Sequence, residues 1–191
     1  MRKNFGSKPY VYPQPVFMIG TYNPDGTADL MTAGWGGISE WDEITIGLSK
    51  GHQTNQNILK RGAFTVSMAT ADFVKECDYL GIVSAKDVPD KIERAGFHAE
   101  RSEFVDAPLF RELPMALECQ VVSYDVEACH LIGKIINVCA DETILDDQGK
   151  ICPEKLNPLI HDTVHHTYRT LGPVVGHSFH DGAEIKNKKN D

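Results

Sequence analysis

Residues 16–22 form a short apolar run, Val-Phe-Met-Ile-Gly-Thr-Tyr, that stops at Asn23-Pro24-Asp25-Gly26. Proline suits a turn and glycine supplies a positive φ. An extended run over 27–34 follows, so 16–34 reads as a β-hairpin. Residues 43–49 alternate, with Ile44, Ile46 and Leu48 on one face, which is the period of a strand. Residues 63–68 repeat that character, and 54–61 between them suit a short helix with Ile58 and Leu59 as its apolar contacts. Phe73, Cys77 and Leu80 recur at helical spacings across 71–82, with Asp72 in the first turn. A second short helix is expected over 88–95, ended by Gly96. Beyond Pro114, Met115, Leu117, Cys119 and Val121 alternate in the longest extended stretch. Residues 130–138 read as its neighbour, after Glu127-Ala128-Cys129. Asp146-Asp147-Gln148-Gly149 is a turn, and 167–171 is the last strand, stopped by Gly172-Pro173.

Short strands with turn residues between them predict a mainly β chain, an antiparallel barrel or sandwich with short helical insertions. No linker or repeat divides it, so 1–182 reads as a single domain and 183–191 as a polar C-terminal tail. Gly34-Trp35-Gly36-Gly37 leads into Glu40-Trp41-Asp42 and a strand, which excludes a doubly wound dinucleotide fold. The charge then narrows the function. With 19 Lys and Arg against 27 Asp and Glu, the net charge is −8, and a nucleic-acid binder needs a clustered cationic face instead. No run approaches the roughly 18 apolar residues of a membrane span. The basic residues 1–8 lead into no apolar signal region, so a cytoplasmic protein is expected. Cysteines stand at 77, 119, 129, 139 and 152 without a C-x-x-C pair, and read as reduced, mostly buried side chains.

Three constellations could carry chemistry. At Asp29-Leu30-Met31-Thr32-Ala33-Gly34-Trp35, small residues let a flat ligand approach the backbone, and Trp35 offers an aromatic face. The same stretch also suits a glycine-rich bend beside a core tryptophan. Ser49-Lys50-Gly51-His52-Gln53-Thr54-Asn55 leaves a strand and enters a helix, gathering hydroxyls, amides, a cation and a helix N-terminus that together suit a phosphate. Alternatively Thr54 only caps the helix and Lys50 is solvated. His161 and His165, four apart, would share one face of a helix, the minimum for two metal ligands, but no third ligand is indicated. No activated nucleophile or general acid is apparent, so no catalytic residue is assigned.

Taken in order, these segments resemble the flavin reductase-like family, and within it the flavoredoxin branch. Pro15-Val16-Phe17-Met18-Ile19-Gly20-Thr21-Tyr22 with Asp25-Gly26 is similar to the family's opening hairpin. Asp29 to Trp35 is similar to its N-x-x-T-x-x-W segment, and Ser49-Lys50 through Ile58 to the stretch before its Phe-x-Val strand, here Phe64-Thr65-Val66. Ser84 to Ile92, including Lys91, resembles S-G-x-D-x-x-K-F. His130-Leu131-Ile132-Gly133-Lys134-Ile135 resembles H-x-x-x-G-x-V. Pro158-Leu159-Ile160-His161 with Tyr168-x-x-Leu171-Gly172 resembles the carboxyl-terminal motif.

The resemblance implies an FMN-binding split β-barrel, antiparallel and of Greek-key type. It implies that Asp29, Met31, Thr32, Ala33 and Trp35 address the isoalloxazine ring, with His130 near the flavin. Ser49, Lys50, His52, Thr54, Asn55 and Lys91 would handle ribityl and phosphate, and Tyr168 joins the binding set. It further implies a homodimer and either an NAD(P)H-dependent flavin reductase or an electron carrier serving a redox protein partner. A non-catalytic flavin-binding module, or a hydrolase with a metal on His161 and His165, would be the alternatives. Two positions depart from the family pattern. Asp29 stands where Asn is usual, and His52 where Arg is frequent, leaving Lys50 or Lys91 to hold a phosphate.

Overall fold

Residues 1–183 and 185 are described by the structure, a computed structural model; most of the expected tail, 183–191, lies outside them. The first strand, β1 (Phe17–Tyr22), is buried on both faces. Phe17 and Ile19 enter one apolar cluster, while Met18 and the preceding Val16 enter another. A strand covered on both sides needs apolar residues at successive positions, which is why its run shows no alternation. β2 (Ala28–Ala33) returns antiparallel, pairing Ala33 with Phe17 and Ala28 with Tyr22. Gly26, at φ +89°, makes the turn between them.

The chain passes through Gly34 and Trp35 into β3 (Gly36–Glu40), which pairs with β4 (Glu43–Gly47). The glycine-rich bend is thus the entry to a strand. A side chain at Gly36 would put a Cβ 2.6 Å from the Thr45 carbonyl and 3.2 Å from the Phe17 ring. α1 (Gln53–Arg61) ends at Gly62, whose N–H donates to the Ile58 carbonyl at 2.7 Å, and β5 (Ala63–Met68) follows. A single 3-10 turn at Ala71–Phe73 opens α2 (Val74–Ile82), with Cys77 and Leu80 buried.

The next helix is shorter than its pattern suggests. α3 covers only Lys91–Arg94, because Val88 precedes Pro89 and that position is disfavoured in helical conformation. β6 (Ala99–Arg101) and β7 (Pro108–Phe110) form a hairpin without a sequence signal. β8 (Met115–Asp125) and β9 (His130–Ala140) pair as the longest hairpin. After α4 (Pro153–Leu156), β10 (Ile160–Asp162) and β11 (Thr167–Arg169) make a small separate sheet. This corrects the reading of 161–165 as helical: His161 lies in β10 and His165 in the turn after it, so the shared helical face for two metal ligands does not form.

The main sheet runs β2-β1-β5-β8-β9-β4-β3, with antiparallel neighbours throughout. Its two edge strands, β2 and β3, are joined by only Gly34 and Trp35, so the sheet curls almost closed. Phe17 and Ile19 from β1 share one core with Ile44 and Ile46 from β4, although three strands separate them in the sheet. Ile58 of α1 plugs the same core. Gly133 leaves room for the Phe64 ring, which a Cβ would overlap. The second core packs Cys77 and Leu80 of α2 against Met18 and Leu30 on the outer face of β1 and β2. Two cysteines, 77 and 119, are buried, whereas 129, 139 and 152 are only half-buried. No helix among the described residues is long and apolar enough to cross a membrane.

Candidate functional site

α1 begins at His52, whose backbone is extended (φ −71°, ψ 136°) and whose side chain makes no capping bond. The N–H groups of a first helical turn have no partner within the helix. Here no acidic residue stands in that turn, so its partial positive charge is not offset from within the helix. Thr54 does not cap. Its hydroxyl donates instead to Asp29 Oδ2 at 2.5 Å. Asp29 Oδ1 lies 2.8 Å from Lys91 Nζ, and both side chains are almost dry, at 0% and 3% exposed. One carboxylate thereby ties β2, α1 and α3 together.

Lys91 also lines a cavity of about 220 Å³ with Met31 and Thr32 of β2, residues 52–54 and residues 81–85. Gly81 permits this packing, since a Cβ there would sit 3.1 Å from Thr32 Cβ. The Thr32 hydroxyl donates to the Cys77 carbonyl, which fixes the strand to α2. At the rim, Lys86 Nζ donates to the Gly51 carbonyl at 3.2 Å, drawing the loop after α2 toward the loop before α1. Lys50 is exposed on that second loop.

A second cavity, of about 420 Å³, is lined by Trp35, Gly36, Thr45, Gly47 and His130, with residues 8–11 and Gln14 across from them. Trp35 is 51% exposed, while its carbonyl accepts the Gly47 N–H at 2.7 Å. Gly47 in turn pairs with His130 across β4 and β9. The N-terminal segment is strapped down nearby: Tyr12 Oη donates to Asp162 Oδ1 at 2.5 Å, and Thr163 donates to the Pro9 carbonyl at 3.2 Å. Asp162 also accepts from His165 at 2.9 Å and Arg169 at 3.1 Å. The Tyr12 hydroxyl and these neighbours hold its carboxyl well below the usual range, against the opposing effect of desolvation.

The expected binding residues therefore divide. Met31, Thr32, His52, Thr54 and Lys91 meet at the first cavity, and Trp35 and His130 at the second. Ser49 and Lys50 are exposed on the loop that joins the two regions. Asp29 stands behind Lys91, and Ala33 belongs to the barrel core. Asn55 is fully buried, and neither atom of its side-chain amide has a hydrogen-bond partner; such orphaned groups are uncommon without a ligand or water to satisfy them. Tyr168 lines neither cavity. Its hydroxyl donates to Asp78 at 2.7 Å, and burial pushes its pKa up to about 12. Gly81, Ile82 and Val83 line the first cavity without belonging to any of the sequence motifs. A glycine interrupting the helical pattern of 71–82 was the available signal for close packing.

These residues fit a phosphate-bearing, partly aromatic ligand. An uncapped helix start suits an anion, and an exposed indole borders the neighbouring hollow. A family model described as flavin reductase like domain matches residues 9–169. The flavoredoxin of Desulfovibrio vulgaris (Miyazaki F) is 34% identical, with a TM-score of 0.91 covering 95% of this chain and 100% of that one. The flavoredoxin from Methanosarcina acetivorans is 28% identical, with a TM-score of 0.86 covering 97% and 99%. At 18% identity, an FMN-binding domain of a flavin reductase-like enzyme from Shewanella baltica OS155 shares the fold, with a TM-score of 0.76 over 86% of this chain and 90% of that one. The curled antiparallel sheet is thus a split barrel, the architecture expected from the sequence.

Proposed function

Because the chain belongs to the flavin reductase-like family, we propose that it is an FMN-binding oxidoreductase of the flavin reductase and flavoredoxin kind. The observation that carries this reading is the meeting of β2, the start of α1, the end of α2 and Lys91 around one cavity at an uncapped helix N-terminus. When bound, FMN supplies the electron-transfer chemistry, and the protein supplies binding, orientation and electrostatics. The first-turn N–H groups of α1 hold the phosphate, with Lys50 and Lys86 at the rim. Met31 and Thr32 line its approach, and Trp35 and His130 address the ring. Residues 8–11, held by Tyr12 and Thr163, limit the access of water to the Trp35 hollow. No side chain is required to act as acid, base or nucleophile.

Electrons come from a nicotinamide nucleotide or pass to and from a redox protein partner. The working unit is a homodimer, a reading supported by Val122, Ile136 and Val138, which stand 52%, 39% and 44% exposed on the β8–β9 hairpin. The test is spectroscopic. Purified protein is expected to show flavin absorbance bands that dithionite bleaches. Anaerobic titration with NADH and NADPH then separates a reductase, which bleaches with one of them, from a carrier, which needs a protein donor. Protein that stays colourless and shows no spectral or thermal change with excess FMN contradicts the proposal.

A further inference from the structure

We propose that Asp29 is a specificity-determining residue that sets the charge of the cleft, and with it the preference for phosphate-bearing over phosphate-free ligands. The inference rests on the flavin reading and refines it. Among the residues lining the 220 Å³ cavity, Lys91 is the one lysine or arginine. A cation there would be expected to act on the ligand's phosphate as a full charge. Its ammonium instead lies 2.8 Å from Asp29 Oδ1, with the pair shut away from water. Seen from the cavity, the two charges form a short dipole, whose field falls off faster than that of a single ion. Water screens neither charge, so the carboxylate cancels most of the attraction that the ammonium would exert on a phosphate. Thr54 fixes the arrangement by donating to the other oxygen at 2.5 Å.

The phosphate is then left to the α1 N–H groups and to the exposed Lys50 and Lys86, which salt screens readily. Asparagine at position 29 has nearly the same shape but no charge and one acceptor oxygen, which Thr54 and Lys91 would have to compete for, so Lys91 loses its counter-ion and its charge acts on the cleft. Asp29 therefore acts through Lys91 and not by touching the ligand.

The test compares Asp29→Asn with the wild type in binding FMN and riboflavin, which lacks the phosphate, and in thermal shift with inorganic phosphate. Asp29→Asn is expected to bind FMN about tenfold more tightly, the scale of one partly screened charge, and riboflavin unchanged. Its apo form should melt lower, because it carries an unpaired buried ammonium, and should recover more than the wild type on adding phosphate. Equal changes for FMN and riboflavin, or a loss confined to FMN, overturn the proposal and leave Asp29 as a structural brace.

If Asp29→Asn does not fold, the double variant Asp29→Asn, Lys91→Gln decides. Its cavity floor is neutral like that of the wild type, so its ratio of FMN to riboflavin affinity should match within about twofold. A tenfold fall in that ratio means that Lys91 acts uncompensated, and the proposal fails. If the wild type binds neither flavin, the flavin reading fails alone. The phosphate thermal shift then decides for Asp29: a larger shift in the asparagine variant, or an unchanged one in the double variant should the single not fold, upholds the role, and any other result overturns it.

Discussion

At the residue scale, the site depends on pairs that no local pattern connects. Thr54 and Lys91 stand out in the sequence as polar residues beside a helix start and inside a family motif, but their common partner, Asp29, sits on a strand far away in the chain. Only the fold shows that its carboxylate faces inward. Removing one member of such a pair leaves the other charge buried, so Lys91→Met is expected to destabilise the apo-protein by about 3–5 kcal/mol, measured by urea unfolding. Asp162 gives a pH-dependent counterpart. Its folded-state pKa is depressed by Tyr12, His165 and Arg169. The stability it contributes is therefore complete above its unfolded pKa, near 3.9, and is lost as pH falls through the lower folded value. The N-terminal strap should hold at neutral and mildly acidic pH and release only in stronger acid. Tyr12→Phe, which cannot make the bond to Asp162 at any pH, should leave residues 1–13 open to limited proteolysis already at neutral pH, where the wild type is protected.

At the element scale, legibility followed burial. β4, β5 and β8 bury alternating or continuous apolar positions, and these strands were readable from their residues. β3 was not, because Gly36, Gly37 and Ser39 carry little side chain and its outer half is exposed; the pairing with β4 comes from the curl of the sheet. The His161–His165 spacing matched a helix by number alone, and the hairpin formed because these residues lie on a two-stranded sheet closed by Asp162 and its partners. Helix α2 shows how an element couples the core to the site. Leu80 is fully buried, and the next residue, Gly81, lines the cavity. Leu80→Ala is expected to cost about 2–5 kcal/mol and to weaken FMN binding as well, because the cavity wall moves with the helix. Equilibrium unfolding and FMN titration of the same preparation test both effects. Unchanged affinity alongside lost stability would separate α2 from the site.

At the scale of the whole molecule, net charge proved a poor guide to the site. The total of −8 describes a surface, while the cavity combines a helix terminus, rim lysines and one neutralised lysine. The curled sheet places β2 and β3 next to each other at its seam, and the two cavities border the residues at that seam. The exposed apolar positions of β8 and β9 belong to the same scale. If the proposed dimer forms through them, the wild type should sediment as a dimer and Ile136→Lys as a monomer with the far-UV circular dichroism retained; a monomeric wild type or an unchanged dimer would contradict that interface. The measurement that bears most directly on the central reading is a titration of flavin-free protein with FMN, followed by quenching of flavin fluorescence. Saturable quenching at one FMN per chain is the expected result. Fluorescence that rises linearly, as for free flavin, at FMN concentrations well above that of the protein would contradict it.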